Sequence, residues 1–287
     1  MKISKTERGQ TTLLSLERRL RVSNRSEQTI RNYVRSVKIL MDYHCQLPGD
    51  LDIDHIIDFL HDLQTDQERS WRTIKIYVAA FRWFYEHVLH AKEFAHLIPY
   101  PKEKPSLPRV LSRQELGRLF DGCQNLKHRV MFRLLYSSGL RRNELLHLKI
   151  EDIITDDGKH QVRIIKGKGG KDRYTVLSLK VLVELREYFK RYRPIKYLFN
   201  GRTPGERLSA AGLRHALATA TKRAAITKEV NLHILRHCFA SHALEEGMNI
   251  KTLQYLMGHS SVLTTMIYLH ISEVPLSKAF SLLDCWQ

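Results

Sequence analysis

Pro101, Pro105 and Pro108 fall within eight residues of the chain, and the segment Pro101-Lys-Glu-Lys-Pro105-Ser-Leu-Pro108-Arg109 constrains the fold more than any other. Each proline fixes φ and withholds a backbone donor, so neither a helix nor a central strand runs through it. With charged side chains between the prolines, residues 101–110 read as an extended linker. At 287 residues the chain exceeds the usual size of a single core, and two domains are expected, 1–100 and 111–287. The boundary has a second, independent signal, because Ser112-Arg-Gln-Glu115 has the capping-box pattern that opens a helix.

Before the linker, apolar residues recur with helical period. Ile30, Val34, Val37 and Met41 make one stripe, and Ile74, Tyr77, Val78, Phe81, Tyr85 and Val88 make another behind the cap candidate Ser70. Residues 1–100 therefore read as a small all-helical domain. Arg72, Lys75 and Arg82 lie off the second stripe; they are available to phosphates, or else form a solvated face.

After the linker, a helix carrying Met131, Leu134 and Leu135 ends near Gly139, which permits a left-handed stop, and Arg141 follows directly. Two short strands are expected, Gln161 to Ile165 and Tyr174 to Ser178, joined by Gly167-Lys168-Gly-Gly-Lys171-Asp172. This glycine-rich tip is not a nucleotide-binding P-loop. That motif needs a glycine where Ile165 stands and Ser or Thr where Asp172 stands. It reads as a flexible turn carrying lysine into a groove, or as a merely solvated turn. The rest of the chain is helical in pattern.

Charge narrows the partner class. Lys and Arg number 47 against 30 Asp and Glu, leaving +17, on a chain that is 43% hydrophobic. A basic globular protein of this kind meets nucleic acid more readily than any other partner, with an anionic lipid surface as the alternative. No apolar run reaches the roughly 18 residues of a membrane span, and Lys2, Lys5, Glu7 and Arg8 interrupt any signal-peptide pattern. A cytoplasmic, nucleoid-associated protein is expected. Cys45, Cys123, Cys238 and Cys285 stand singly, as reduced thiols in a reducing compartment do.

The chemistry-bearing residues are scattered through the second domain. Arg141 and Glu144, three apart, could form an inconsequential surface pair, or Arg141 could face an anion from a helix start. His233 and His237 are four apart, but Ile234 replaces the glutamate of a zincin, so no metal site is expected. His233 and Arg236 share a face, while His237 and Cys238 are expected to pack. Tyr268, one of twelve tyrosines, lies nine residues after His259 among basic residues without paired carboxylates. That inventory favours phosphate chemistry.

Four segments in order, Ser138-Gly-Leu-Arg141-Arg-Asn-Glu144, Gly167-Lys168-Gly-Gly-Lys-Asp-Arg173, Leu232-His233-Ile-Leu-Arg236-His-Cys-Phe-Ala-Ser-His242 and Leu256-Met-Gly-His259 through Tyr268, resemble the tyrosine recombinases, or phage integrase family, most closely the compact Xer-type members. Met257 stands where the family more often has leucine. The resemblance implies a mainly α protein: a helical core-binding domain, then a mostly helical catalytic domain with a small antiparallel β-sheet, the DNA breaking-rejoining fold. It implies that Arg141 and Arg236 grip the scissile phosphate, that Lys168 protonates the leaving 5′ oxygen, and that His233 accepts or relays the tyrosine proton. His259 would hydrogen-bond the phosphate, Glu144 would hold the cluster in register, and Tyr268 would attack to give a 3′-phosphotyrosyl bond. Lys171 and Arg173 join Arg72, Lys75 and Arg82 as expected DNA contacts. No metal, ATP or other cofactor is required by such chemistry. The implied partner is double-stranded DNA with paired recognition sites, held by a homo-tetramer, or a hetero-tetramer with a related recombinase. A type IB topoisomerase-like relaxing enzyme and a non-catalytic DNA-binding relative are the alternatives. Finally, Leu276, Ala279, Phe280 and Leu283 after Pro275 form a stripe that folds back in cis or, as the resemblance implies, docks on a neighbouring protomer.

Overall fold

The computed structural model describes residues 2–102, 109–165, 172–203 and 205–269. The chain divides into two compact units, Met1–Pro105 and Ser106–Gln287. Most of the expected linker, the glycine-rich tip with Lys168 and Lys171, and the tail stripe from Leu276 to Leu283 lie outside the described residues.

The first unit holds α1 (Glu7–Val22), α2 (Glu27–His44), α3 (Ile53–Thr65), α4 (Trp71–His87) and α5 (Lys92–Leu97). Side-chain oxygens start four of these helices: Thr6, Ser26, Asp52 and Ser70 each accept a backbone N–H from the first turn. Each cap contributes about 1 kcal/mol by occupying an otherwise orphaned donor. Of the two predicted stripes, Ile30, Val37 and Met41 on α2 and Ile74, Val78, Phe81 and Tyr85 on α4 are buried. Phe59 of α3 meets Phe81 and Tyr77 with ring centroids 5.9 Å apart, and the buried Tyr85 hydroxyl donates to Pro48 O at 2.6 Å.

The second unit begins with α6 (Arg113–Asp121), whose capping box is complete: Ser112 accepts from Glu115 N and Glu115 accepts from Ser112 N. α7 (Leu126–Ser138) packs against α9 (Leu179–Tyr192) and α11 (Leu232–Glu245), with α8 (Arg142–His147), α10 (Ala210–Arg223), α12 (Ile250–Met257) and α13 (Leu263–Met266) around them. A three-stranded antiparallel sheet in order β1-β2-β3 (Ile153–Ile154, Gln161–Ile164, Arg173–Val176) lies beside this helical core. The two expected strands appear with edges shifted by one or two residues, and β1 is an addition. The architecture is mainly α with a small antiparallel sheet.

Two features of this unit position the site. In β3, Arg173 and Thr175 turn inward while Tyr174 and Val176 face out. Thr175 Oγ1 donates to Ser138 O at 2.8 Å, tying the strand to the end of α7. Second, Tyr268 belongs with Phe239, Ala240, Leu244, Leu253, Leu256 and Met257 to a small hydrophobic cluster distinct from the main core, with Tyr136 packed against both.

Candidate active site

Glycine endings deliver the site's backbone. Gly139, at φ 61°, stops α7 in the left-handed region, and a Cβ there would sit 2.6 Å from Phe239 Cε1, so both conformation and space demand glycine. Gly258, at φ 60°, stops α12 in the same way, and its Cβ would lie 2.8 Å from Arg173 Cδ. Asn231 opens α11 by accepting from His233 N (2.9 Å) and Ile234 N (3.2 Å). These two stops and one start bring the ends of α7, α11 and α12 together.

Glu144 is the hub. Its carboxylate accepts from Arg141 N at 2.7 Å and Arg141 Nη1 at 2.8 Å, and from Arg173 Nη1 and Nη2, both at 2.8 Å. Burial alone would raise its pKa, but the Arg173 fork and then the Arg141 donors overcome this and hold it down at about 2. The expectation that Arg173 contacts DNA is therefore corrected. It is only 5% exposed, its Nε donates to Leu256 O at 2.9 Å, and the rest of its guanidinium is occupied by Glu144. Arg173 is a strut between β3, α8 and α12.

Arg141, half-buried, sends Nη2 to Gly258 O at 2.7 Å. Arg236 is 1% exposed; Nη1 donates to Gly139 O, and Nη2 to Met257 O at 2.6 Å and His259 Nε2 at 2.9 Å. Burial, then repulsion from Arg141, lowers its pKa to about 9. Because His259 Nε2 accepts, its proton is assigned to Nδ1, which donates to Thr265 Oγ1 at 2.9 Å. Burial, Arg236 and Arg141 push His259 down to about 3, so it is neutral at pH 7. The guanidiniums of Arg141 and Arg173 thus share the carboxylate of Glu144, and its charge also favours the cation of Arg236 without contact.

The tyrosine is where the structure departs most from expectation. Tyr268 is 2% exposed, and its hydroxyl lies 2.8 Å from Nδ1 of His237, not His233. Burial raises Tyr268 to about 12, partly offset by Arg236 and Arg141, and lowers His237 to about 4. A neutral His237 therefore accepts from a neutral Tyr268. His237, expected to be mere packing, faces the tyrosine because His233, Arg236 and His237 at i, i+3 and i+4 share one helical face. That spacing was readable in the sequence. His233 keeps an exposed edge while its ring packs edge-on to His237 with centroids 4.5 Å apart, and the desolvation on that packed side, then Arg236 and Arg141, lower its pKa.

In the first unit, Arg72 lies over Trp71 (5.4 Å), and Lys75 lies over Trp71 (6.0 Å) and Tyr100 (5.5 Å). Arg82 departs from the expected DNA contact. Its Nε donates to Ile98 O at 2.9 Å and its Nη2 to Ile98 O and His96 O, so the guanidinium fastens the end of its own unit while stacking over Tyr100 at 5.4 Å. Among the described residues no three His, Cys, Asp or Glu side chains cluster as metal ligands, and no helix is long and apolar enough to cross a membrane.

Comparison with known proteins identifies the family. Residues 109–274 match the phage integrase family, and residues 13–92 match the phage integrase N-terminal SAM-like domain. The chain belongs to the phage integrase family, as a tyrosine recombinase of the Xer type. A protein of Sinorhizobium fredii (strain NBRC 101917 / NGR234), provisionally named integrase/recombinase y4qK, is 35% identical over 254 residues, covering 88% of this chain and 82% of that protein. Tyrosine recombinase XerC of Staphylococcus aureus is 30% identical over 275 residues, covering 90% of each chain. The fold is shared with the XerH site-specific recombinase bound to palindromic difH substrate, at TM-score 0.71 and 23% identity, covering 91% of this chain and 81% of that one. This recombinase is accordingly an enzyme of site-specific DNA recombination, and DNA is its partner.

Proposed function

We propose that this recombinase exchanges strands by covalent catalysis from Tyr268, with Arg141 and Arg236 holding the scissile phosphate. The observation that carries the reading is the convergence of both arginines, His259 and Tyr268 on the meeting point of α7, α11 and α12. Guanidinium forks match phosphate oxygens and neutralise the charge that builds on them in the transition state. Tyr268 Oη forms a bond to phosphorus, the bond from phosphorus to the 5′ oxygen breaks, and that oxygen departs as a hydroxyl with a proton from Lys168. The 3′-phosphotyrosyl product conserves the bond energy, so a 5′ hydroxyl from the second site reverses the step and releases Tyr268.

Burial decides how this begins. A phosphodiester of duplex DNA does not reach a hydroxyl on a 2% exposed side chain. Burial raises the pKa of Tyr268 and lowers that of His237, so proton transfer within that pair runs uphill. Tyr268 therefore leaves His237 and, at the phosphate beside Arg141 and Arg236, passes its proton to His233 as it attacks. In the resting site His259 Nε2 aligns Arg236; with its proton moved from Nδ1 to Nε2 it exchanges that bond for one donated to the phosphate. The assembly is a tetramer on two paired sites, of identical chains or with a related recombinase, acting in the cytoplasm at the nucleoid. Arg72 and Lys75 meet the duplex backbone from the first unit.

The test is a nicked suicide duplex carrying a site selected from random sequence. The wild type accumulates a 3′-linked protein–DNA adduct, and Tyr268→Phe binds equally but forms none. An undiminished adduct in Tyr268→Phe removes the assignment, and strict Mg²⁺ dependence of cleavage removes the mechanism.

A further inference from the structure

Beside the arginine cluster the second unit has a cavity of about 430 Å³ whose polar lining is Arg141, Arg142, Asn143, Arg214, Asn231 and His233. Two of these, Arg141 and His233, belong to the reading above; the other four have no role in it. Among the described residues no carboxylate lines the cavity. Arg142 spends Nε on Asn143 Oδ1 at 3.2 Å, and Arg214, exposed on α10, has no carboxylate within ion-pair distance among the described residues. The side-chain oxygen of Asn231 is occupied by the first N–H groups of α11, so what its amide can still offer the cavity it lines is N–H donors.

Such a set has one class of ligand. Two guanidiniums without acidic partners, together with amide donors, attract an anion with several acceptor oxygens and leave a neutral or cationic group without a counterpart. The cavity is continuous with Arg141, so the anion it takes is covalently near the one Arg141 holds. We propose that Arg142, Arg214 and Asn231 form a second phosphate seat, which binds the phosphodiester adjoining the scissile one on the same strand and thereby fixes the register of cleavage. The proposal rests on the assignment of the scissile phosphate to Arg141 and Arg236. Arg214 acts through the DNA backbone and is a positioning residue.

The experiment uses the full chain and duplexes bearing its selected site, each with one uncharged methylphosphonate at successive positions of the cleaved strand. For wild type, neutralising the phosphate next to the scissile one weakens binding about tenfold, the scale of one charge-assisted contact. Arg214→Ala shows the same loss on unmodified DNA and a salt slope smaller by about 0.9, the value for one phosphate contact. On the methylphosphonate duplex Arg214→Ala loses nothing further, while methylphosphonates elsewhere weaken variant and wild type alike. Arg142→Ala repeats the pattern at the same position, and Arg214→Lys recovers the salt slope. Cleavage by Arg214→Ala spreads to neighbouring phosphodiesters, a readout that a purely structural role leaves unmoved. Additive losses at every position, or wild-type binding by both alanine variants, overturn the proposal. Binding and salt slope are read without cleavage, and the Tyr268→Phe comparison is read without Arg214, so failure of the seat and failure of the catalytic reading give different results.

Discussion

Replacing Glu144 by glutamine isolates the hub of the site with almost no change of shape. The carboxylate accepts four N–H groups, three of them from guanidiniums. Its pKa falls from an ordinary 4.5 to about 2, which by linkage is about 3 kcal/mol of stability. Because the folded-state value is the lower one, that stability is complete above pH 4.5 and drains away as the pH falls towards 2. Glutamine offers one acceptor oxygen and turns two N–H groups towards buried cations, so Glu144→Gln at pH 7 loses about 3–5 kcal/mol, the cost of leaving one member of a buried pair unmatched. Urea denaturation at pH 7, 5, 4 and 3 checks this: the gap between wild type and variant is full at pH 7 and 5 and narrows below pH 4.5. Combining Glu144→Gln with Arg173→Met costs less than the sum of the two single changes, because they share one interaction. A gap under about 1 kcal/mol at pH 7, or one that does not narrow in acid, would refute the account of the hub.

Two further outcomes follow from the same geometry. Gly139→Ala places a side chain at φ 61° and against the Phe239 ring, which costs about 2–4 kcal/mol from strain and overpacking; a melting curve within a degree of wild type would count against the contact. His237 and His259, held neutral with pKa values near 4 and 3, bind protons in the unfolded chain before they do in the folded one. Stability therefore falls as pH drops below about 6.5, the unfolded histidine value, and His237→Phe flattens part of that fall. A variant with an unchanged pH dependence between 6.5 and 4 would show that His237 is not buried neutral.

Local rules carried far in this chain. The α4 stripe, the Ser70 cap, the Ser112–Glu115 box and the Gly139 stop are each set by neighbours a few residues away, and each is visible as spacing. β1 was not visible, because two residues give no alternation to detect. Arg173 was misread for a different reason. Next to Gly-Gly-Lys-Asp it has the sequence context of a solvated tip, and only the register of β3, opposite Ile164 and turned towards α8, brings it to Glu144. Arg82 likewise looks free along α4 until the chain returns at Ile98. His237 was legible by its spacing from His233, but the assumption that a histidine beside Cys238 and Phe239 packs displaced the simpler count of helical faces.

Storing Tyr268 in a cluster of its own separates the readiness of the enzyme from the integrity of its fold. Releasing the ring dismantles contacts with Phe239, Leu253 and Met257, while the main core between α7, α9 and α11 stays closed. Such sub-global openings cost a few kcal/mol, and at about 3 kcal/mol roughly one molecule in a hundred has Tyr268, the proposed nucleophile, out at any moment. Under the proposed mechanism, cutting by a lone molecule on stray DNA is throttled by that fraction, whereas any contact made only with the open form spends its binding energy on raising it. The strength of packing around Leu253 and Met257 is then a rheostat for idle activity, adjustable by a methylene without touching a single group that meets the phosphate.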